Sequence, residues 1–498
     1  MESGDAAQVA ALVGAVGAAL VLLAWSRWPL LAGLALLAVA EVVLVLELSD
    51  HGRRISPSLA ALALVGIAVM AVGAAILVRY PVAVIPLVVT AAPFRPPLAF
   101  GSEHRYFVGA AGPGELGRLF PLYAVLGAAA LALAWSALRG RELRPVPPLI
   151  AVPAIALFAI AALSLFWTQD LHAGENELAY FLLPFATLLA VVARAPFPGW
   201  MTRALAVIAI GLATLFAVVG LVQAVTHRLW FFSPGVDVSN AYRSFFRVTS
   251  LFRDPSLYGR HVVLGLAVLL VAVVLRRVHP LIAFPLGALL FAGLWFSYSQ
   301  SSMAALFVVT LWIATLVGTY RLRTVAVVIA VVVVLGGAGL AVASASGHSL
   351  KRITSDRSKR VEQTANVVRD HPLNGVGLGG QPHASQVRSA RGGSPSRFVS
   401  HTTPLTIAAE LGLLGIAAYI SLLGGAAILI RRIRRQDQAL GLGLAATLLA
   451  LVVHSLFYSG FFEDPITWAV LAVASCFVLA RAEPDAILGG SSAPIRNP

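Results

Sequence analysis

The chain has 498 residues, 59% of them hydrophobic and only 12% charged, with a mean hydropathy of +0.87. Water-soluble domains carry about 25% charged residues, so a soluble globule is excluded. The net charge of +14 reads as membrane topology and attraction to lipid headgroups, not as a nucleic-acid surface. The single Cys476 excludes an intrachain disulfide and a cysteine-built metal site.

In chain order, apolar runs of about 20 residues, enough to cross a bilayer, begin at 8–25, 28–48 and 57–78. They continue at 119–138, 148–168, 177–193, 204–226, 256–275, 281–298, 300–319 and 324–345. After a polar interruption they resume at 404–430, 439–458 and 465–481. Barrel strands would instead alternate over about 10 residues. The expected fold is all-α, a polytopic transmembrane helical bundle of about 12–14 spans. Its parts are N-terminal transmembrane helices over 1–118, a central bundle over 119–345 and a large extracytoplasmic loop with short helices over 346–403. C-terminal transmembrane helices follow over 404–481, then a polar, disordered tail over 482–498. The first run follows an acidic Met1–Asp5 and leads straight into another, which reads as a retained helix. Residues 81–98 are apolar but broken by Pro81, Pro86, Pro93, Pro96 and Pro97. Irregular backbone at membrane depth must be buried in protein or line a cavity; the stretch is a short span or a re-entrant hairpin, and re-entry is expected because a full span would conflict with the charge pattern.

Cytoplasmic loops of membrane proteins carry excess positive charge. Arg139, Arg141 and Arg144 mark one such loop, Arg194 and Arg203 another, then Arg276 with Arg277, Arg321 with Arg323, and the Arg431–Arg435 cluster. Alternation puts 169–176, 227–255, 299–301, 346–403 and 459–464 on the opposite face. Two of those loops are rich in arginine although topology does not call for it. Nearly all the positive charge is arginine, Lys351 and Lys359 being the only lysines, a bias that fits a GC-rich bacterial genome.

The loop before 404 closes in Ser400-His401-Thr402-Thr403-Pro404. Pro404 suits a first helical turn, and Thr402 or Thr403 can cap it. His401 then stands at the water–membrane boundary beside a helix N-terminus, whose positive end disfavours imidazolium. A neutral imidazole is a competent general base for a sugar hydroxyl; the alternative is a polar cap. Glu410, just over two turns further on, is expected to orient another group or accept from an arginine.

Arg243, Arg247, Arg253 and Arg260 form a second constellation. Arg260 lies about one turn inside the helix that begins near Ser256, where an unpaired charge costs several kcal/mol. Guanidinium groups bind diphosphate oxygens in bidentate geometry; the alternatives are snorkelling to headgroups or pairing with Asp254. Gln300 belongs to a polar junction, Ser297 to Ser302, that lines the same outer cavity or simply packs two helices. Arg357, Lys359 and Arg360 open a helix expected over 357–370, where an arginine can hold a phosphate or the helix can lie on lipid. The run Gly375-Val376-Gly377-Leu378-Gly379-Gly380 lacks the lysine and the preceding strand of a nucleotide loop and reads as a tight turn. Glu463-Asp464 is an acidic turn able to bind an arginine or, on weak grounds, a metal.

In this order the parts resemble the O-antigen ligase and O-antigen polymerase superfamily. The resemblance is carried over about 240–470 by SDR, RDHPLNGVGLG, His401-Thr402-Thr403-Pro404-Leu405 with AAELGLLGI, and HSLFYSGFFEDPITW. It implies a metal-independent glycosyltransferase with no cofactor, in the bacterial cytoplasmic (inner) membrane, with its active site on the extracytoplasmic face. It implies an undecaprenyl-diphosphate-linked glycan donor and a glycan or glycolipid acceptor as partners, with membrane lipids and no nucleic acid. Carried across, His401 is the base on the acceptor hydroxyl and Arg357 a phosphate holder, with Arg260, Arg253 and Arg247 as further diphosphate ligands and Glu410 and Gln300 in support. Two departures stand out: Thr402 replaces the family's asparagine, and Ser299-Gln300-Ser301-Ser302 lacks the arginine many ligases place there, a gap Arg260 is positioned to fill. The competing functions are a transporter or flippase of lipid-linked saccharides, which would put charge at mid-membrane, and a non-catalytic envelope scaffold.

Overall fold

The computed structural model describes residues 3–49, 57–95, 99–100, 106–107, 119–230, 234–242, 245–317, 324, 357–391 and 400–481. The expected span 324–345 falls outside the described residues except for Thr324, as do Arg243, 346–356, 392–399 and the tail over 482–498. The described residues form helices, with one short antiparallel pair among them, Ala99–Phe100 with Tyr106–Phe107. Among the described residues nine helices are long and apolar enough to cross a membrane, and three shorter apolar helices join them. Lipid offers no hydrogen-bond partner, so each span must satisfy its backbone internally.

The N-terminal helices are α1 (Ser3–Leu23), α2 (Arg27–Ser49) and α3 (Pro57–Arg79), followed by the short α4 (Val84–Ala91). The central bundle comprises α5 (Phe120–Leu138), α6 (Pro148–Ser164), α7 (Leu171–Glu177), α8 (Leu183–Ala193) and α9 (Met201–Thr226). It continues with α10 (Pro234–Tyr242), α11 (Pro255–Val274), α12 (Pro280–Ser297) and α13 (Gln300–Val317). The polar loop carries α14 (Arg357–Asp370), at the expected place, and α15 (Gln381–Arg391). The chain closes with α16 (Thr403–Gln436), α17 (Gln438–Ser455) and α18 (Pro465–Arg481).

The two ends of the bundle differ in chemistry. At one end Arg194 donates to the carbonyls of Val21 (2.8 Å), Ala190 (3.1 Å) and Arg144 (3.0 Å), closing the C-termini of α1 and α8 with a cation. Arg141 and the α9–α17 contact of Thr202 with Asp437 lie at this end too. At the other end the loops after α6, before α11, between α12 and α13, before α16 and between α17 and α18 meet one another. Gln8 near the start of α1 donates to the Leu165 carbonyl there.

The stretch 81–95 departs from the re-entrant hairpin expected of it. The chain bends by 114° between α3 and Pro81–Ala91. Pro81 and Val84 share a pocket with Arg141 and Arg194, whereas Arg95 donates to the Glu463 carbonyl at the opposite end, 3.2 Å away. The stretch thus runs between the two ends. The prolines shorten its helix, and the bend takes up the remaining distance.

The apolar run expected as one span over 404–430 is also interrupted. Gly412, with φ +62° and ψ −156°, breaks α16 and frees the peptide groups on either side. The glycine-rich loop after α14 takes them up. Val376 and Gly377 donate to the carbonyls of Ala409 and Glu410, each at 2.9 Å, and Leu413 donates to the Pro372 carbonyl at 2.9 Å. Buried backbone groups must be paired, so break and loop complete each other. Gly375, Gly377 and Gly379 all have left-handed φ, +66°, +86° and +71°. A Cβ on Gly377 would stand 2.3 Å from the Cα of Thr168, and one on Gly412 would stand 2.2 Å from the Leu373 carbonyl oxygen. The run is therefore more than a turn: it is a strap wedged between the α6–α7 corner and the break in α16.

Candidate functional site

The strap fixes the segment that carries His401. Gln381, the residue after the last glycine, is fully buried. Its backbone N–H points to Glu410 Oε1 at 3.4 Å, and its side-chain amide donates to Ser385 Oγ (2.7 Å) and Thr364 Oγ1 (3.3 Å). Its side-chain oxygen accepts the Ser400 N–H at 3.0 Å. One glutamine thus joins α14, α15, α16 and the residue preceding His401. Ser400 Oγ in turn accepts from the Thr402 N–H and donates to the Thr402 carbonyl. Thr402 sits at the N-cap of α16 and Pro404 in its first turn, as expected, but no threonine side chain caps the helix. The Thr403 hydroxyl instead donates to the Tyr458 carbonyl at 3.3 Å, tying the start of α16 to the α17–α18 loop.

The His401 ring meets a cation. A guanidinium nitrogen of Arg360 donates to His401 Nε2 at 2.5 Å. A ring nitrogen that accepts from guanidinium carries no proton there, so this contact selects the uncharged ring with its proton on Nδ1. Arg357, the expected phosphate holder, stands one turn earlier on the same face of α14, and its side chain lies outside the described residues. The loop register was legible in the sequence; the choice between two arginines three positions apart was not.

Arg260 lies in a second centre. It is 6% exposed and pairs with Asp464, 1% exposed, at 3.0 Å. Asp254, the partner considered from sequence, instead caps α11 by accepting from the N–H groups of Ser256 and Leu257. The acidic turn Glu463-Asp464 thus binds an arginine, one of the two roles open to it. Arg95 joins this centre through the Glu463 carbonyl. Both Arg95 Nη1 and Arg260 Nε are buried with no hydrogen-bond partner in the structure. Burial and Asp464 raise the Glu463 carboxyl above its usual range, while Arg95 and Arg260 work against the rise. Arg95 went unnoticed from sequence, although a lone charge in a proline-broken apolar stretch is the kind of signal that marks a site.

The other expected residues lie around these centres. Arg247 Nε points to the Ser297 carbonyl at 3.4 Å, and its backbone is held by Asn240. Arg253 is half-buried, and that burial lowers its pKa. Gln300 is exposed at the start of α13. The junction serines bond to one another, and Ser301 Oγ meets His454 Nε2 at 3.1 Å, a histidine that sequence reasoning passed over. Glu410 is 6% exposed and accepts backbone N–H groups from the strap; among the described residues no arginine bonds to it.

Between the centres lies a narrow cleft of about 60 Å³. Glu177, Glu410 and Glu463 line it with Thr403, Ser459 and Phe462. Glu463 and Thr403 connect it to the Arg95–Arg260 centre and to the His401 segment respectively.

The fold and these polar centres define a polytopic helical membrane protein whose chemistry-bearing side chains gather at one end of its bundle. Residues 285–420 match the family model described as O-Antigen ligase. Over that segment the chain is similar to the O-antigen ligases, a likeness that points toward a membrane glycosyltransferase. The matched segment takes in the serine junction, His401 and Glu410, and leaves out Arg95, Arg260 and Asp464. No curated protein matches the chain.

Proposed function

We propose that the protein transfers a glycan from undecaprenyl diphosphate to an acceptor hydroxyl at the extracytoplasmic face of the bacterial cytoplasmic membrane, with His401 as general base. The observation that carries this reading is the contact between His401 Nε2 and the Arg360 guanidinium. The Nε2 lone pair that accepts from Arg360 is the one able to take a proton. A sugar hydroxyl that displaces Arg360 from it is placed for deprotonation. Its oxygen attacks the anomeric carbon, the bond to the donor's lipid diphosphate breaks, and the proton stays on Nε2. Arg360, released from the ring, and Arg357 on the same face of α14 then meet the charge that grows on the leaving diphosphate. A cation placed there stabilises the transition state more than the ground state.

Arg260 serves the same charge in this reading by exchanging Asp464 for a phosphate oxygen. Arg247 and Arg253 supply positive potential nearby, and Gln300 and Glu410 act in support. The family match and the gathering of polar loops at one end of the bundle favour an enzyme over a flippase. The arginine-rich opposite end supports the assignment of faces.

The direct test incubates the purified protein in proteoliposomes with a defined undecaprenyl-diphosphate glycan and an acceptor saccharide. Glycosylated acceptor and free undecaprenyl diphosphate should form in equal amounts, at the same rate with and without EDTA. Donor moved across the bilayer with no new glycosidic bond would favour the flippase instead.

A further inference from the structure

We infer that the tip of the strap, His371-Pro372-Leu373-Asn374, is seated in the outer leaflet, with the Leu373 side chain among the acyl chains of membrane lipid. The sequence places this segment in a large polar loop, and nothing in the transfer reaction requires it to touch the bilayer.

Two spans measure where the hydrocarbon ends. The second half of α16 runs from Leu413, after the break at Gly412, to Ile430, and the exposed Arg431 and Arg432 follow. At about 1.5 Å per residue that stretch is about 27 Å long, close to the ~30 Å of a bilayer's hydrocarbon core. Its exposed residues Leu413, Ala417, Ile420, Gly424 and Ile428 fall three or four apart and carry no charge, so they form one lipid-facing stripe. With the arginines at the cytoplasmic boundary, Leu413 stands at the outer one. The helix α6 gives the same level independently. From Pro148 to Ser164 it rises by about 26 Å, and the exposed Phe166 and Trp167 follow directly. Tryptophan is enriched at membrane–water interfaces.

The residues on either side of Leu373 are fastened to these two points. Leu413 donates to the Pro372 carbonyl at 2.9 Å, and Trp167 Nε1 donates to the Asn374 carbonyl at 3.2 Å. Leu373 itself is 68% exposed. With Phe166, Trp167, Leu413 and Leu414, all exposed, it makes an apolar ledge that hydrocarbon would remove from water. Exposed apolar residues gathered in this way mark an interaction surface, and continuity with the stripe of α16 names lipid as the occupant. The flanking residues suit the headgroup side. His371 and Asn374 are exposed, and Asp370 pairs with Arg388 of α15. Irregular backbone is tolerated at such depth only where protein takes up its peptide groups, and the break in α16 does so. At the far end of the strap Gln381 accepts the Ser400 N–H, so a tip held by lipid also holds the His401 segment at a fixed height over the leaflet.

Depth can be read without any transfer assay. The full-length protein, in a Cys476→Ser background, would be spin-labelled and placed in nanodiscs of phosphatidylcholine and phosphatidylglycerol. A nitroxide on Leu373→Cys should be relaxed by oxygen and shielded from a water-soluble nickel chelate, as should one on Ile420→Cys. A nitroxide on Gln386→Cys, exposed on α15, should show the reverse. A second variant leaves the leucine unlabelled. With the nitroxide on Asn374→Cys, adding Leu373→Asp should raise nickel access by lifting the tip, with the unfolding temperature in detergent unchanged. Nickel access at position 373 equal to that at 386 would put the tip in water and overturn the inference. Shielding from oxygen and nickel alike would put protein over Leu373, and unchanged access in the folded Leu373→Asp variant would mean that lipid does not hold the tip; either result overturns it too.

Discussion

Removing one partner of the Arg260–Asp464 pair strands a charge where both side chains are almost wholly buried. Asp464→Asn should therefore destabilise by about 3–5 kcal/mol, read as a fall in unfolding temperature in detergent. Replacing both, Arg260→Met with Asp464→Leu, should recover most of that loss, because no buried charge remains. The double variant also separates structure from chemistry. If Arg260 takes up phosphate, the refolded double variant should stay inactive, and wild-type transfer would remove Arg260 from the site. Glu463 makes a pH-dependent contribution. Its carboxyl is raised above the usual 4.5 by burial, so the folded state favours the protonated form. That stability is fully present below the ordinary carboxyl pKa and is lost as pH rises through the raised one. Glu463→Gln should gain in unfolding temperature relative to the wild type between acidic and neutral pH, and a constant difference would mean that the carboxyl is not raised.

Among the elements, the strap and the broken helix depend on each other. Gly377→Ala places a side chain in left-handed backbone, at a cost of roughly 1–2 kcal/mol, and drives its Cβ against the Thr168 backbone. Gly424 in α16 has open space around its Cβ position. Gly377→Ala should lower the unfolding temperature and release Gln381 from Ser400, with loss of transfer, while Gly424→Ala should leave both unchanged. Equal unfolding temperatures for the two would refute the wedge. The sequence made the start of α11, the whole of α14 and the position of Pro404 legible, because caps and prolines are local signals. The break at Gly412 was not legible. Its cause is a loop more than 30 residues away, whose alternating glycines show that something is tightly packed without showing against what. Arg360 was hidden for a similar reason: which of two arginines on one helical face meets His401 is decided by how α14 docks, and docking runs through Gln381, a residue of no distinctive type.

For the whole molecule, the path of residues 81–95 from one end of the bundle to the other sets the direction of everything that follows. It lets α5 begin at the end that gathers Arg95, Glu463 and His401 and finish among Arg139, Arg141 and Arg194. The described arginine-rich loops expected to face the cytoplasm, at 139–144, 194–203, 276–277 and 431–435, then share one side. In a Cys476→Ser background, a membrane-impermeant maleimide added to intact cells should label Ser389→Cys on α15 and spare Arg435→Cys. The reverse pattern would invert the protein and place the cleft inside the cell. The bundle thus presents a basic face to one side and a polar, recessed face to the other, where the Arg260–Asp464 pair and the Arg360–His401 contact lie.

The measurement that bears most directly on this chemistry is the rate of glycan transfer by purified His401→Gln, with its unfolding temperature as the control for folding. Loss of the base should lower the rate by about 10²–10⁴-fold with the fold intact. A folded variant that transfers glycan within twofold of the wild-type rate would contradict the role of His401 as the base.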